Sequence, residues 1–288
     1  MSISFSKHIT QIILLALVYI ISAKLGLLLA FEPSNVSSAW PPTGLSLAAI
    51  LWGGLRLWPG IFIGALLTCL YDSFSVPLSL SIAIGNTLEV IAASYFILRF
   101  ASARPFFKTI HTAVFIIALF GSTIISASIG VASLYIAELI QQDNLLLVWK
   151  TWWLRDLVGG LIITPFLLTW LSLPNQDFTK KRLFEALLLL FTILCVLSLV
   201  FSQWSQFYIP NELMIFVLLP ILAWSILRFH HHGATLVVMI ISTAAVLGTE
   251  NTFGSFALIN ESESLFTLQI YMGAVMFTTL LLTASQAE

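Results

Sequence analysis

Apolar runs follow one another along this chain from residue 9 to residue 284, with only short polar intervals between them. A chain built this way has too little polar surface to face water. Charged residues make up 9% of it and hydrophobic residues 59%, with a mean hydropathy of +1.02; soluble domains carry about 25% charged residues. The sequence is therefore read as an integral membrane protein, a single domain over 1–288. No interval is long enough for a kinase, a cyclase or another soluble catalytic module, so this segment is not expected to be an enzyme. Cys69 and Cys195 both lie inside apolar runs, which argues against a disulfide framework or a thiolate metal site. No metal, no cofactor and no nucleic-acid binding are expected.

A helix needs about 20 apolar residues to cross ~30 Å of hydrocarbon. The pattern predicts ten helical segments: 9–31, 41–54, 58–71, 77–99, 109–138, 145–171, 183–204, 212–228, 233–249 and 265–284. The first is long and lacks a small-residue cleavage site, so it reads as an anchor and not as a signal peptide. Segments 41–54 and 58–71 have 14 residues each, only about 21 Å of helix. They are either short spans or a re-entrant pair shielded by protein. The fold class is an all-α polytopic bundle of eight to ten transmembrane helices. Arg56, Arg104, Lys108, Lys180, Lys181 and Arg182 mark alternate connections, while the others hold acidic residues and no Lys or Arg. By the positive-inside rule both termini are expected in the cytoplasm.

Ionisable groups at mid-membrane depth cost about 2.5–3.5 kcal/mol on insertion scales, so they are usually paired or functional. Glu89 falls midway along 77–99, with Asn86 one turn earlier on the same face. Arg155 and Asp156 fall midway along 145–171. These four residues form the candidate ligand-binding layer, with Glu89 and Asp156 as acceptors and Arg155 as cation or counter-ion. The alternative, an architectural ion pair joining two helices, is compatible with it. Lys24 and Lys150 lie nearer the outer ends of their helices, where snorkelling explains them. They are weaker candidates for an outward vestibule.

The stretch Trp40-Pro41-Pro42-Thr43-Gly44 carries unusual helix-breaking chemistry. Two prolines suit the first turn of a helix, and Gly44 permits close backbone approach. Trp40, Pro41, Pro42 and Gly44 are expected to join the ligand-binding site as a rigid lip over the Glu89/Arg155/Asp156 layer, with Trp40 as a lid at the outer mouth and Trp40 with Trp153 as the aromatic walls. The pairs Gly60/Gly64 and Ser122/Ser126/Gly130 predict close helix packing. His230, His231 and His232 are expected in a solvated cytoplasmic corner.

Three stretches, "AWPPTGLSLAAILWGGLRLWPGIFIGALL" (39–67), "IGNTLEVIAASYFILR" (84–99) and "WWLRDLVGGLIITPFLL" (152–168), occur in the order found in the first family of membrane-associated sensor domains. The chain resembles that family over nearly its whole length. The family pattern carries over to Trp40, Pro41, Pro42, Gly44, Trp58, Pro59, Gly60, Asn86, Glu89, Asp156, Gly159 and Pro165; Arg155 has no matched position. The resemblance implies eight spans in the bacterial cytoplasmic membrane. It also implies the N-terminal input of a histidine kinase or a diguanylate cyclase, hence two-component or cyclic-di-GMP signalling. A cytoplasmic output module is then expected beyond residue 288 of a longer protein, with a free-standing sensor subunit as the alternative. Action as a homodimer through the output domain is implied as well.

The leading functional expectation is a sensory input domain that binds a small ligand or a membrane partner protein, surrounded by membrane lipid. Helix 265–284 would pass the change to the effector. The alternative is a secondary transporter or permease with a midplane polar site. A membrane-embedded hydrolase is poorly served, because neither cysteine has a histidine at its depth.

Overall fold

A computed structural model describes residues 5–28, 30–31, 36–171, 179–201, 215–253, 256–257 and 261–288. Glu32, Glu212 and the predicted helix ends at 204 and 212 lie outside the described residues. Nine helices account for the described fold: α1 (Phe5–Leu28), α2 (Pro41–Gly53), α3 (Trp58–Tyr71), α4 (Val76–Phe100), α5 (Thr109–Ile136), α6 (Leu145–Trp170), α7 (Lys180–Val200), α8 (Leu218–Glu250) and α9 (Glu261–Ala287). A two-residue antiparallel pair, Ala30 with Ser37 and Phe31 with Val36, joins β1 (Ala30–Phe31) to β2 (Val36–Ser37).

Six of these helices are long and apolar enough to cross a membrane: α1, α4, α5, α7, α8 and α9. The tally is lower than eight to ten for three physical reasons. The helices α2 and α3 have 13 and 14 residues. The 26-residue α6 is long enough but carries Lys150, Arg155 and Asp156. The two segments predicted at 212–228 and 233–249 join in α8, whose 33 residues would span about 50 Å if straight. It bends at His230, where φ 49 and ψ −144 are non-helical.

Local sequence explains the corners. Pro41 and Pro42 open α2 without costing a backbone donor. Gly54 turns α2 into α3 with φ 93 and ψ 159, a conformation that side chains disfavour. Thr179 caps α7, its hydroxyl accepting from the Arg182 backbone N–H at 3.3 Å.

Small residues set the packing. A side chain at Gly60 would run into the Ile12 carbonyl and Leu15, and one at Gly64 into Tyr19, so α3 lies directly on α1. Helix α4 runs along α5, and α2 packs between α6, α1 and α4. Helix α9 lies against α8, α6 and α5, and α7 packs on α8. Helices α1 and α7 are peripheral, showing Leu14, Leu17 and Ile21, and Phe184, Leu187 and Phe191, on their outer faces. The interior that remains is the junction of α1, α4, α5 and α6, with the start of α2 inserted into it.

Candidate functional site

That insertion depends on two glycines. Trp40, in extended conformation at φ −106 and ψ 94, donates its backbone N–H to the Arg155 carbonyl on α6 at 2.9 Å. A Cβ on Gly159 would overlap the Trp40 carbonyl, and one on Gly44 would overlap the Gly159 carbonyl. One turn below, the Thr164 hydroxyl donates to the Gly44 carbonyl at 3.0 Å. Irregular backbone is thus carried into the bundle with its polar groups satisfied by protein, as the bilayer requires. Trp40 is 7% exposed and level with Arg155. It is a buried wall and not a lid at the outer mouth.

Around this junction a polar chain crosses four helices. Asn86 lies 3.0 Å from the Tyr19 hydroxyl, Ser126 lies 2.8 Å from Asn86 and 3.0 Å from Asp156 Oδ2, and Trp152 Nε1 donates to Ser126 at 3.3 Å. A serine has one proton and cannot donate to both neighbours. With the Asn86 amide turned so that its NH2 donates to Ser126, its oxygen accepts from Tyr19 and Ser126 gives its proton to Asp156. Every short contact is then used, in one direction, from Tyr19 to Asp156.

Arg155 completes the layer. Its guanidinium carbon lies 4.7 Å from the Trp40 ring centroid and 4.2 Å from that of Trp152, stabilising contacts of about 0.5–2 kcal/mol each. Its Nε stands 3.5 Å from Asp156 Oδ1, longer than the ~2.9 Å of a good hydrogen bond. The pair attracts without closing.

Above this floor a cavity of about 590 Å³ is lined by Tyr19, Trp40, Asn86, Trp152 and Arg155, with Lys24 and Asp72 among its other lining residues. Lys24 and Asp72 form an ion pair, and the Lys24 ammonium also lies 4.0 Å from the Tyr71 ring centroid. Ligand pockets usually span about 300–1,000 Å³, so this one has the size for a small molecule.

The structure therefore brings together Asn86, Asp156, Arg155 and Trp40, as the sequence suggested, and adds Lys24 at the cavity. Glu89 is near but separate. It is 1% exposed, its two oxygens have no hydrogen-bond partner among the described residues, and it does not line the cavity. Its polar neighbours include the Ser126 and Thr43 hydroxyls and Asp156. Pro41, Pro42 and Gly44 serve the docking of α2. Lys150 is exposed and away from the cavity. Trp153 faces elsewhere, against Phe120 at 4.7 Å and Trp149 at 5.9 Å.

The second wall is Trp152, and helix geometry gives the reason. Trp152, Arg155, Asp156 and Gly159 follow at steps of three and four and share a face, whereas Trp153 is turned about 100° away. Tyr19, Ser126 and Trp152 were missed as site residues; only the spacing from Trp152 to Arg155 offered a signal. The histidine corner is also not solvated throughout. His231 is 7% exposed, with its ring 5.0 Å from that of Phe107.

Fold and site define a class, a multi-pass helical membrane protein with a pocket whose floor is a polar chain drawn from four helices. The family model MASE1 matches residues 11–287. The chain belongs to MASE1, a family of membrane-associated sensory input domains without catalytic activity of their own. No curated protein and no solved structure matches it.

Proposed function

We propose that this domain is the ligand-sensing input of a bacterial signalling protein in the cytoplasmic membrane, with both termini on the cytoplasmic side. A small molecule enters the 590 Å³ cavity and contacts the Arg155 layer. Helix α9 relays the change to a cytoplasmic effector, a histidine kinase or a diguanylate cyclase, acting as a homodimer. The observation that carries this reading is the cavity itself, whose floor is the polar chain from Tyr19 to Asp156.

Relay through α9 is supported by its contacts. Gln269 donates to the Thr151 carbonyl of α6 at 3.4 Å, next to Trp152. At its far end Glu288 accepts from the Thr109 backbone N–H at 2.8 Å, at the start of α5. Helix α9 thus touches α5 and α6, two of the four helices that build the floor. A ligand shifts such a bundle only through different affinity for its two packings.

The test is a thermal-shift screen of a small-molecule library on the purified domain, followed by flux measurements in proteoliposomes. Compounds that raise Tm without crossing the membrane support a sensor. A stabilising compound that is carried into the vesicles favours a transporter instead.

A further inference from the structure

The charges that face the cavity are unevenly placed. Arg155 lines it, while its counter-ion Asp156 is fully buried and does not. Lys24 and Asp72 are paired with each other and cancel. Arg155 is thus the charge that meets the cavity at the floor, with its carboxylate partner lying behind it, 3.5 Å away.

The donors tell the same story. Trp152 Nε1 is committed to Ser126, the Thr68 hydroxyl to the Gly64 carbonyl, and Asn86 and Tyr19 to one another. The Arg155 guanidinium is held by two indole rings and a 3.5 Å contact. Neither ring supplies an acceptor oxygen, and the Arg155 Nε has no hydrogen-bond partner among the described residues, so the guanidinium keeps N–H groups for an acceptor. The remaining walls are largely apolar, with Leu27, Ala65, Phe74, Ile82 and Leu134.

Resting on the pocket reading above, we infer that the ligand is a small organic anion, a carboxylate on an apolar or aromatic body. Its carboxylate takes the edge of Arg155 that meets the cavity, and its body fills the space between the apolar walls. The bidentate match of guanidinium to carboxylate provides the orientation. An anion bound there competes with Asp156 for Arg155, which links occupancy to the α2–α6 contact.

The test compares matched acids and amides: 3-phenylpropionate with 3-phenylpropionamide, indole-3-acetate with indole-3-acetamide, and hexanoate with hexanamide. Affinity is read by thermal shift and tryptophan fluorescence on the wild-type domain, then on Arg155→Gln and, as a control, Lys150→Gln. The expected result is at least one acid binding tenfold or more tighter than its amide, a preference lost in Arg155→Gln and kept in Lys150→Gln. The acid–amide comparison on wild type stays readable should Arg155→Gln fail to fold. Amides binding as tightly as acids, or neutral library compounds binding where no acid does, would overturn the anion assignment and leave the pocket standing. No compound of any charge binding in the cavity would overturn both.

Discussion

Trp40 is fastened to Arg155 twice, by its backbone N–H to the Arg155 carbonyl at 2.9 Å and by its ring 4.7 Å from the Arg155 guanidinium. The start of α2 is therefore tied to the middle of α6 at the cavity floor.

Gly159→Ala tests that fastening. The added methyl overlaps the Trp40 carbonyl, and overpacking a close contact costs about 1–3 kcal/mol. A lowered Tm is expected, with a similar loss in Gly44→Ala. Gly121→Ala, where a Cβ meets nothing within 4 Å, should leave Tm unchanged.

The two buried carboxylates should respond in opposite ways. Asp156→Asn leaves Arg155 without its anion, and breaking a buried pair costs about 3–5 kcal/mol. The Glu89 oxygens have no close hydrogen-bond partner among the described residues, and the carboxyl has the Ser126 and Thr43 hydroxyls and Arg155 only in its neighbourhood, so Glu89→Gln replaces a loosely held carboxyl with a neutral isostere. Thermal unfolding should show a large loss for the first and an unchanged or raised Tm for the second. Equal losses would contradict the pairing of Arg155 with Asp156.

Neighbouring tryptophans separate wall from surface. Trp152→Phe removes a hydrogen bond worth about 1 kcal/mol and weakens the contact with Arg155, for about 2 kcal/mol in all. Trp153→Phe removes only the bond to the Phe120 carbonyl at 3.2 Å and should cost under about 1 kcal/mol. Only the first should alter binding of a cavity ligand.

Tyr19→Phe removes the head of the polar chain. It leaves an Asn86 group buried without its partner, at about 1–3 kcal/mol. In the Tyr19→Phe background Asn86→Leu should then cost less than it does in wild type, a coupling that a double-mutant cycle reads directly.

Much of this fold is written in the spacing of apolar runs, because backbone in a bilayer must satisfy itself within helices. The corners at Pro41, Gly54 and Pro59 follow from the same rule. Asn86, Arg155 and Asp156 stood out because polar groups at that depth are costly. Tyr19 did not, since a tyrosine in an apolar run carries no mark of its hydroxyl's partner. Trp40 was placed too far out because its depth depends on Gly159 leaving room for its carbonyl, a relation across 119 positions. Trp152 was legible in principle through helix phase, whereas the burial of His231 depends on Phe107 from another corner.

Cys69 offers the most direct measurement, because it is a free thiol that lines the cavity. In a Cys195→Ser background, its rate of modification by a small methanethiosulfonate reagent is followed with and without compounds that raise Tm. The account predicts that stabilising compounds slow Cys69 modification, and that Trp152→Phe weakens the protection. Compounds that stabilise the domain yet leave the Cys69 rate unchanged would place their site elsewhere and contradict it.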